Sequence, residues 1–211
     1  MEIEAKYHFC GPYLFSAKLT PKDLKDIYKL CIKDKKKDAS RSLAAHIKEE
    51  YFIDLRKFHE ITKKYYPAYI KGFEKFYNTK AINFNLEVAW VNFMKAGESN
   101  PPHIHTGCNL SSVWFIKVPD KLKKENEKYR GTIAKGGPGS LSFICGSSSP
   151  MFLDERRFFP EEGEFFIFPY NLKHYVSPFL SKCERVSVAA NFTIDVTAEE
   201  KYQGYFGNYK K

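Results

Sequence analysis

The chain has only five cysteines, Cys10, Cys31, Cys108, Cys145 and Cys183, and no Cys-x-x-Cys pair among them. An odd, scattered set excludes a closed disulfide framework and a zinc ribbon, and leaves free, mostly buried thiols as the expectation. No stretch approaches the roughly 18 to 20 consecutive apolar residues of a membrane helix. The opening, MEIEAKYHFCGPYLF, carries acids where a secretory leader has a basic segment before an apolar one. A cytoplasmic location without membrane association is therefore expected. Glycine, proline and serine are not enriched and no internal repeat is present, which excludes collagen-like, linker-like and solenoid organisation. Acidic charge is in the minority, with 25 Asp and Glu against 34 Lys and Arg, for a net charge of +9. Much of the excess lies in lysine runs such as KDKKK (33–37) and KLKKENEK (121–128), which read as solvated loops. No recognition motif accompanies them, so nucleic acid stays an open partner class that nothing favours.

At 211 residues, 43% hydrophobic and 17% aromatic, the chain can bury a substantial core. One domain over residues 1–211 is expected, with a helical amino-terminal layer over 1–80 and a β core over 82–196. In LTPKDLKDIYKLCI, Thr20 is placed to cap a helix, with Pro21 at its first position, Asp23 at its third, and Leu24, Ile27, Tyr28 and Cys31 along one face. A second helix is expected in SRSLAAHIKEEY, and a third from Leu55 to Tyr77, kinked or split at Pro67. From residue 82 onward the texture changes to short apolar runs separated by turn residues: FNLEVAWVNFM, SSVWFIKV, GSLSFICG, GEFFIFP and RVSVAANFTI. Their Val, Ile, Phe and Trp content and their length indicate strands. With no helix between most of them, an antiparallel sandwich or jelly roll follows. The polar, Gly-ending stretch 120–139 reads as a mobile excursion or lid.

The stretch SNPPHIHTG holds His103 and His105 one residue apart. On a strand, positions i and i+2 share a face, which presents both imidazoles to one ion and turns Ile104 into the opposite layer. Pro101 and Pro102 oppose a helix there. Two polar residues at a strand end remain the alternative. His174 comes at the start of a strand after the turn that ends GEFFIFPYN, and it can meet the pair only if strands pack face to face. His8, His46 and His59 fall outside this pattern and are given structural or surface roles. Arg185 heads the apolar strand RVSVAANFTI, where burial demands an anion and its fork suits a carboxylate. Ser187, two residues on, faces the same way. An exposed strand end paired with a surface acid is the other reading of Arg185.

The segments NPPHIHTGCNLSSVWFIKVP, GSLSF, GEFFIFPYNLKHYVSP and ERVSVAANF, in that order, resemble the iron(II)- and 2-oxoglutarate-dependent oxygenases, most of all a small phage and marine-bacterial group. The resemblance implies a double-stranded β-helix, a jelly roll of the cupin-like kind, with the amino-terminal helices packed on it. It implies Fe(II) held at His103, His105 and His174, and 2-oxoglutarate gripped at its far carboxylate by Arg185 and Ser187. It also implies a dioxygenase reaction in which 2-oxoglutarate and O2 become succinate and CO2 while a second substrate is hydroxylated. Asn92, Trp114 and Asn191 are secondary candidates for the cosubstrate pocket. The sequence departs from the family in one respect, because His105 stands where most members carry Asp or Glu. Cupins are the rival within the same barrel: GESNPPHIH fits their opening from Gly97, but the expected Glu after His105 is replaced by Asn109 and Leu110. A basic, non-enzymatic binding protein is the third reading. Arg185 separates the first from the other two.

Overall fold

The N-cap expected at the first helix is formed: the Asp23 backbone N–H donates to Thr20 Oγ1 at 3.2 Å, and Thr20 Oγ1 donates to the Asp23 carboxylate at 2.6 Å. The computed structural model describes residues 11–129, 137–146 and 155–197, so His8, Cys10 and the 130–136 part of the expected excursion lie outside the described residues. Helix α1 (Pro21–Leu30) is followed by α2 (Leu55–Thr62) and α3 (Tyr66–Tyr77), with a single 3-10 turn at Lys63–Tyr65 between them. Pro67 lies in the first turn of α3, where its missing N–H leaves no bond unmade, so the long apolar stripe is split there.

Among the described residues, ten strands follow antiparallel pairing throughout. They are β1 (Phe15–Lys18), β2 (Glu50–Phe52), β3 (Lys80–Lys95), β4 (Asn100–His103), β5 (Leu110–Lys117), β6 (Leu141–Ile144), β7 (Glu155–Phe158), β8 (Glu164–Pro169), β9 (His174–Val176) and β10 (Glu184–Thr197). A six-stranded sheet runs β1-β8-β5-β10-β3-β2, and a four-stranded sheet runs β4-β9-β6-β7. The five runs read as strands are β3, β5, β6, β8 and β10. SRSLAAHIKEEY is not a helix: a 3-10 turn at Ser40–Ser42 gives way to β2, which pairs with the centre of β3. Tertiary pairing has overridden local helix propensity there. The 120–139 stretch differs too, since its first half is helix α4 (Asp120–Tyr129), held down by buried Leu122 and Asn126. The four described cysteines are free, and each is half-buried rather than fully buried. Among the described residues no helix is long and apolar enough to cross a membrane.

Two apolar cores result, one on each side of the large sheet. Between that sheet and the helices pack Ile27, Phe58, Tyr69, Val91, Trp114, Phe165 and Val188. Between the two sheets, with α4, pack Met94, Phe115, Leu122, Phe143, Phe166, Phe168 and Val176. Strand alternation sorts the residues: Val186, Val188, Ala190 and Phe192 face the helices, and Arg185, Ser187 and Ala189 line an interior cavity. On β3 the apolar residues Ala89, Val91 and Phe93 are odd-numbered, while Leu86 and Phe84 on the same face are even-numbered. The change of parity comes from a register shift at Asn191/Phe192 that leaves Glu87 without a direct partner, as a β-bulge does.

Trp114 is completely buried on the helix side, stacked on Phe165 at 4.0 Å between ring centres and meeting Phe58 edge-on at 5.6 Å. Its Nε1–H donates to Ser112 Oγ at 2.8 Å, so the ring carries no unmet polar group. Trp114→Ala is expected to cost about 3–5 kcal/mol in urea unfolding, whereas a loss below about 1 kcal/mol would contradict this packing.

Glu50 is 1% exposed on β2, in register with Asn92 of β3, and its Oε2 has no hydrogen-bond partner among the described residues. Burial, reinforced by Glu98 and Asp38, pushes its carboxyl up from 4.5 to about 8. An acid raised in this way keeps its proton longer when folded than when unfolded. Stability is therefore full below about pH 4.5 and falls as pH rises toward about 8. Glu50→Gln is expected to match the parent near pH 4 and to exceed it by about 1–3 kcal/mol at pH 8 in denaturant titrations. A parent that is the more stable protein at pH 8 would overturn this assignment.

Candidate metal centre

Cross-strand pairing brings the histidines together. Strand β4 pairs with β9 so that His103 stands opposite His174, and their ring centres are 4.3 Å apart. His103 ends β4, and His105 lies just beyond the strand, its backbone N–H donating to the Tyr170 carbonyl at 2.9 Å. The strand geometry assumed for both members of the pair therefore holds only for the first. Ile104 does not enter an opposite layer but is 47% exposed. The turn nevertheless returns His105 to its neighbours: its Nε2 is 3.3 Å from His174 Nε2, and its ring is stacked on that of His174 at 5.2 Å.

One nitrogen from each ring falls in a set whose members all lie within 4.8 Å of one another, which can hold a metal ion. It is the one such group of His, Cys, Asp or Glu among the described residues. Backbone carbonyls fix the tautomers. His103 Nδ1 is 2.8 Å from the Pro101 carbonyl and His174 Nδ1 is 2.8 Å from the Leu172 carbonyl. A carbonyl only accepts, so each Nδ1 carries the proton and each Nε2 keeps a free lone pair. Burial favours the neutral rings: it lowers His103, and with repulsion from His103 it takes His105 to about 4 and His174 to about 3. Phe168 meets the His174 ring edge-on at 4.7 Å, and Trp90 lies 6.0 Å from the His105 ring, so aromatic walls set the orientation of both.

Arg185, which is 2% exposed, lines the same cavity. Its Nη1 donates to the Gly139 carbonyl at 2.9 Å, its guanidinium lies 5.5 Å from the Phe115 ring, and its Nε has no partner among the described residues. Burial alone lowers it to about 10. Among the described residues no carboxylate pairs with it within 4.0 Å, so the alternative of a surface ion pair does not describe this side chain. A buried guanidinium without a counter-charge is costly and calls for an anion. A dicarboxylic 2-oxo acid has the matching chemistry, with one end for a metal at the imidazoles and the other for Arg185.

Ser187 and Asn92 line the cavity and are register partners across β10 and β3. Asn191 follows on the cavity-facing register of β10, but it is not part of the lining and its Oδ1 is buried without a partner among the described residues. Trp114 is a correction: its ring belongs to the helix-side core and does not reach the cavity, because it falls on the opposite face of β5 from Val113. The sequence reading missed Trp90, Asn100, Ile47 and Val176, which also line the cavity. Trp90 was within reach, since it is two residues from Asn92 on the same strand. His46 makes an isolated bridge to Ser99 and His59 packs near Tyr66 at 5.8 Å, and neither belongs to the triad. An open trough between α1 and α2, lined by Asp26, Asp54, Arg56, Lys57 and Glu60, contains none of these groups.

Residues 88–191 match the protein family described as "Putative 2OG-Fe(II) oxygenase". The fold is similar to that of the viral collagen prolyl hydroxylase vCPH from Paramecium bursaria Chlorella virus-1, solved with 2OG, with a TM-score of 0.54 and 12% identity over 85% of this chain and 95% of that one. A prolyl-4-hydroxylase from Pseudomonas putida gives 0.53 and 13% over 87% and 92%. A 2OG-Fe(II) oxygenase family oxidoreductase from Burkholderia pseudomallei gives 0.54 and 14% over 87% and 84%. No curated protein sequence matches the chain. At such identities the structural likeness speaks to the double-stranded β-helix, and the family match speaks to the chemistry. The match over residues 88–191, the imidazole cluster and the buried guanidinium are together similar to what the 2-oxoglutarate- and iron(II)-dependent oxygenases carry.

Proposed function

We propose that the chain hydroxylates a primary substrate with 2-oxoglutarate and O2 as cosubstrates, releasing succinate and CO2, and that His103, His105 and His174 are the iron ligands. The observation that carries this reading is the convergence of three neutral imidazoles in one cavity with a buried, uncompensated Arg185. When bound, iron(II) and 2-oxoglutarate supply the oxygen activation, and the residues of the chain bind, orient and exclude water. His103 and His174 offer Nε2 lone pairs in directions set by Pro101 and Leu172. His105 takes the place of the usual carboxylate, so the three ligands are neutral and the ion keeps its full double charge. With Arg185 in the same lining, the cavity would offer a dianion positive charge from both the metal and the guanidinium. Ser187 adds a hydroxyl on the Arg185 side, and Asn92 adds an amide next to it. Trp90 and Phe168 supply apolar walls that limit water around the ligands. A cupin-type metal protein has no use for a buried Arg185, and a non-enzymatic basic protein has no use for the imidazole cluster.

Two measurements test the assignment. His174→Ala is expected to reduce Fe(II) bound under anaerobic conditions from about one per chain to below about a tenth at micromolar metal. Undiminished binding would place the ion elsewhere. Arg185→Ala is expected to leave metal stoichiometry intact and to raise the 2-oxoglutarate Kd at least about tenfold, in line with about 1.5–3 kcal/mol for a charged hydrogen bond. An unchanged Kd would remove Arg185 from the cosubstrate site.

A further inference from the structure

The floor beneath Arg185 takes no part in the mechanism above, yet it is built closely. Gly139 has φ +65°, in the left-handed region, and a Cβ on it would lie 3.1 and 3.2 Å from the Leu122 methyls and 3.4 Å from the Phe179 ring. Its N–H donates to the Ser177 carbonyl at 3.1 Å, while its own carbonyl accepts from Arg185 Nη1 at 2.9 Å. The same loop is tied again where Ser177 N–H donates to the Ser140 carbonyl at 3.1 Å. Leu122 belongs to α4 and is fully buried. Helix α4 is fixed in turn by Glu125, whose carboxylate accepts the backbone N–H groups of Leu180 at 2.9 Å and Ser181 at 2.7 Å. Gly139 is thus held by α4 beneath it, by the segment after β9 beside it, and by Arg185 above it.

The chemistry of the acceptor matters. A carboxylate in this place would orient Arg185 but cancel the charge that a ligand needs. A backbone carbonyl orients the guanidinium and leaves its charge uncompensated. A guanidinium has five N–H donors in one plane, so fixing one arm fixes the direction of the others. We propose that Gly139 is a positioning residue for 2-oxoglutarate: its carbonyl, set by Leu122 of α4, holds one arm of Arg185 so that the remaining donors meet the distal carboxylate. The inference rests on Arg185 being the carboxylate anchor. The expected excursion at 120–139 is then, in its described part, a support under the cosubstrate rather than a lid over it. No side chain larger than hydrogen fits at Gly139 without moving either Leu122 or the carbonyl.

The test uses the Fe(II)-loaded protein under anaerobic conditions, titrated calorimetrically with 2-oxoglutarate and with 2-oxobutyrate, which lacks the distal carboxylate. Gly139→Ala is expected to raise the 2-oxoglutarate Kd about fivefold or more, while the 2-oxobutyrate Kd and the metal stoichiometry stay within about twofold. Adding Leu122→Ala to Gly139→Ala makes room for the new methyl and is expected to recover most of the lost affinity. If Gly139→Ala fails to fold, Glu125→Ala, which loosens α4, is expected to show the same selective loss. Equal weakening of both acids, or no weakening of either, would overturn the proposal. If Arg185→Ala weakens 2-oxoglutarate and the Gly139 and Glu125 variants do not, the anchor stands and only the role of Gly139 is lost. If Arg185→Ala itself has no effect, the fault lies in the anchor.

Discussion

The register between β4 and β9 is the constraint on which the site depends, because it places His103 opposite His174 and so makes a two-imidazole pair before any ion arrives. A shift of one residue would turn one of the rings to the other face of a pleated sheet. Each strand is short, four and three residues, and neither specifies its register by length. The register is held from outside the pair. Strand β9 also pairs with β6, whose Phe143 stands in register with His174. His105 adds a backbone bond to Tyr170 from beyond the strand.

Placing three imidazoles and a guanidinium in one interior opposes folding, since desolvation acts against each polar group. The compensation comes from apolar burial on both sides of the large sheet, and β10 contributes to both. Its Val186, Val188, Ala190 and Phe192 support the helix-side core, while Arg185, Ser187 and Ala189 face the cavity. Chemistry and stability thus alternate along one strand. The bulge opposite Asn191/Phe192 lets the far half of β3 keep its apolar residues on the helix side after an extra residue has entered.

How much could be read from the sequence follows from where each signal resides. The five long apolar runs are strands because their Val, Ile and Phe content acts locally, and helix α1 is announced by the Thr20 N-cap, whose bond to the Asp23 N–H is local. By contrast β1, β2 and β7 are three or four residues each, and exist because a neighbouring strand offers hydrogen bonds. The segment 40–51 looked helical by composition, and β3 drew its end into the sheet instead. At the site, His103, His105, His174 and Arg185 were visible as chemically unusual residues in apolar surroundings. Trp114 was misplaced because an aromatic residue on a strand says nothing about which face it takes. Asn100 and Ile47 line the cavity through chain crossings that no local pattern reports. Gly139 carries its meaning only through its φ and its neighbours.

Strand β4 is an outer strand of the small sheet, and half of its four residues are Pro101 and Pro102. An open sheet edge invites another chain to dock along its free N–H groups, and proline has none to offer. The strand that ends in His103 is therefore a poor template for a foreign β-segment. A histidine can stand at the border of the barrel, within reach of small molecules, without making that border adhesive to unfolded polypeptide.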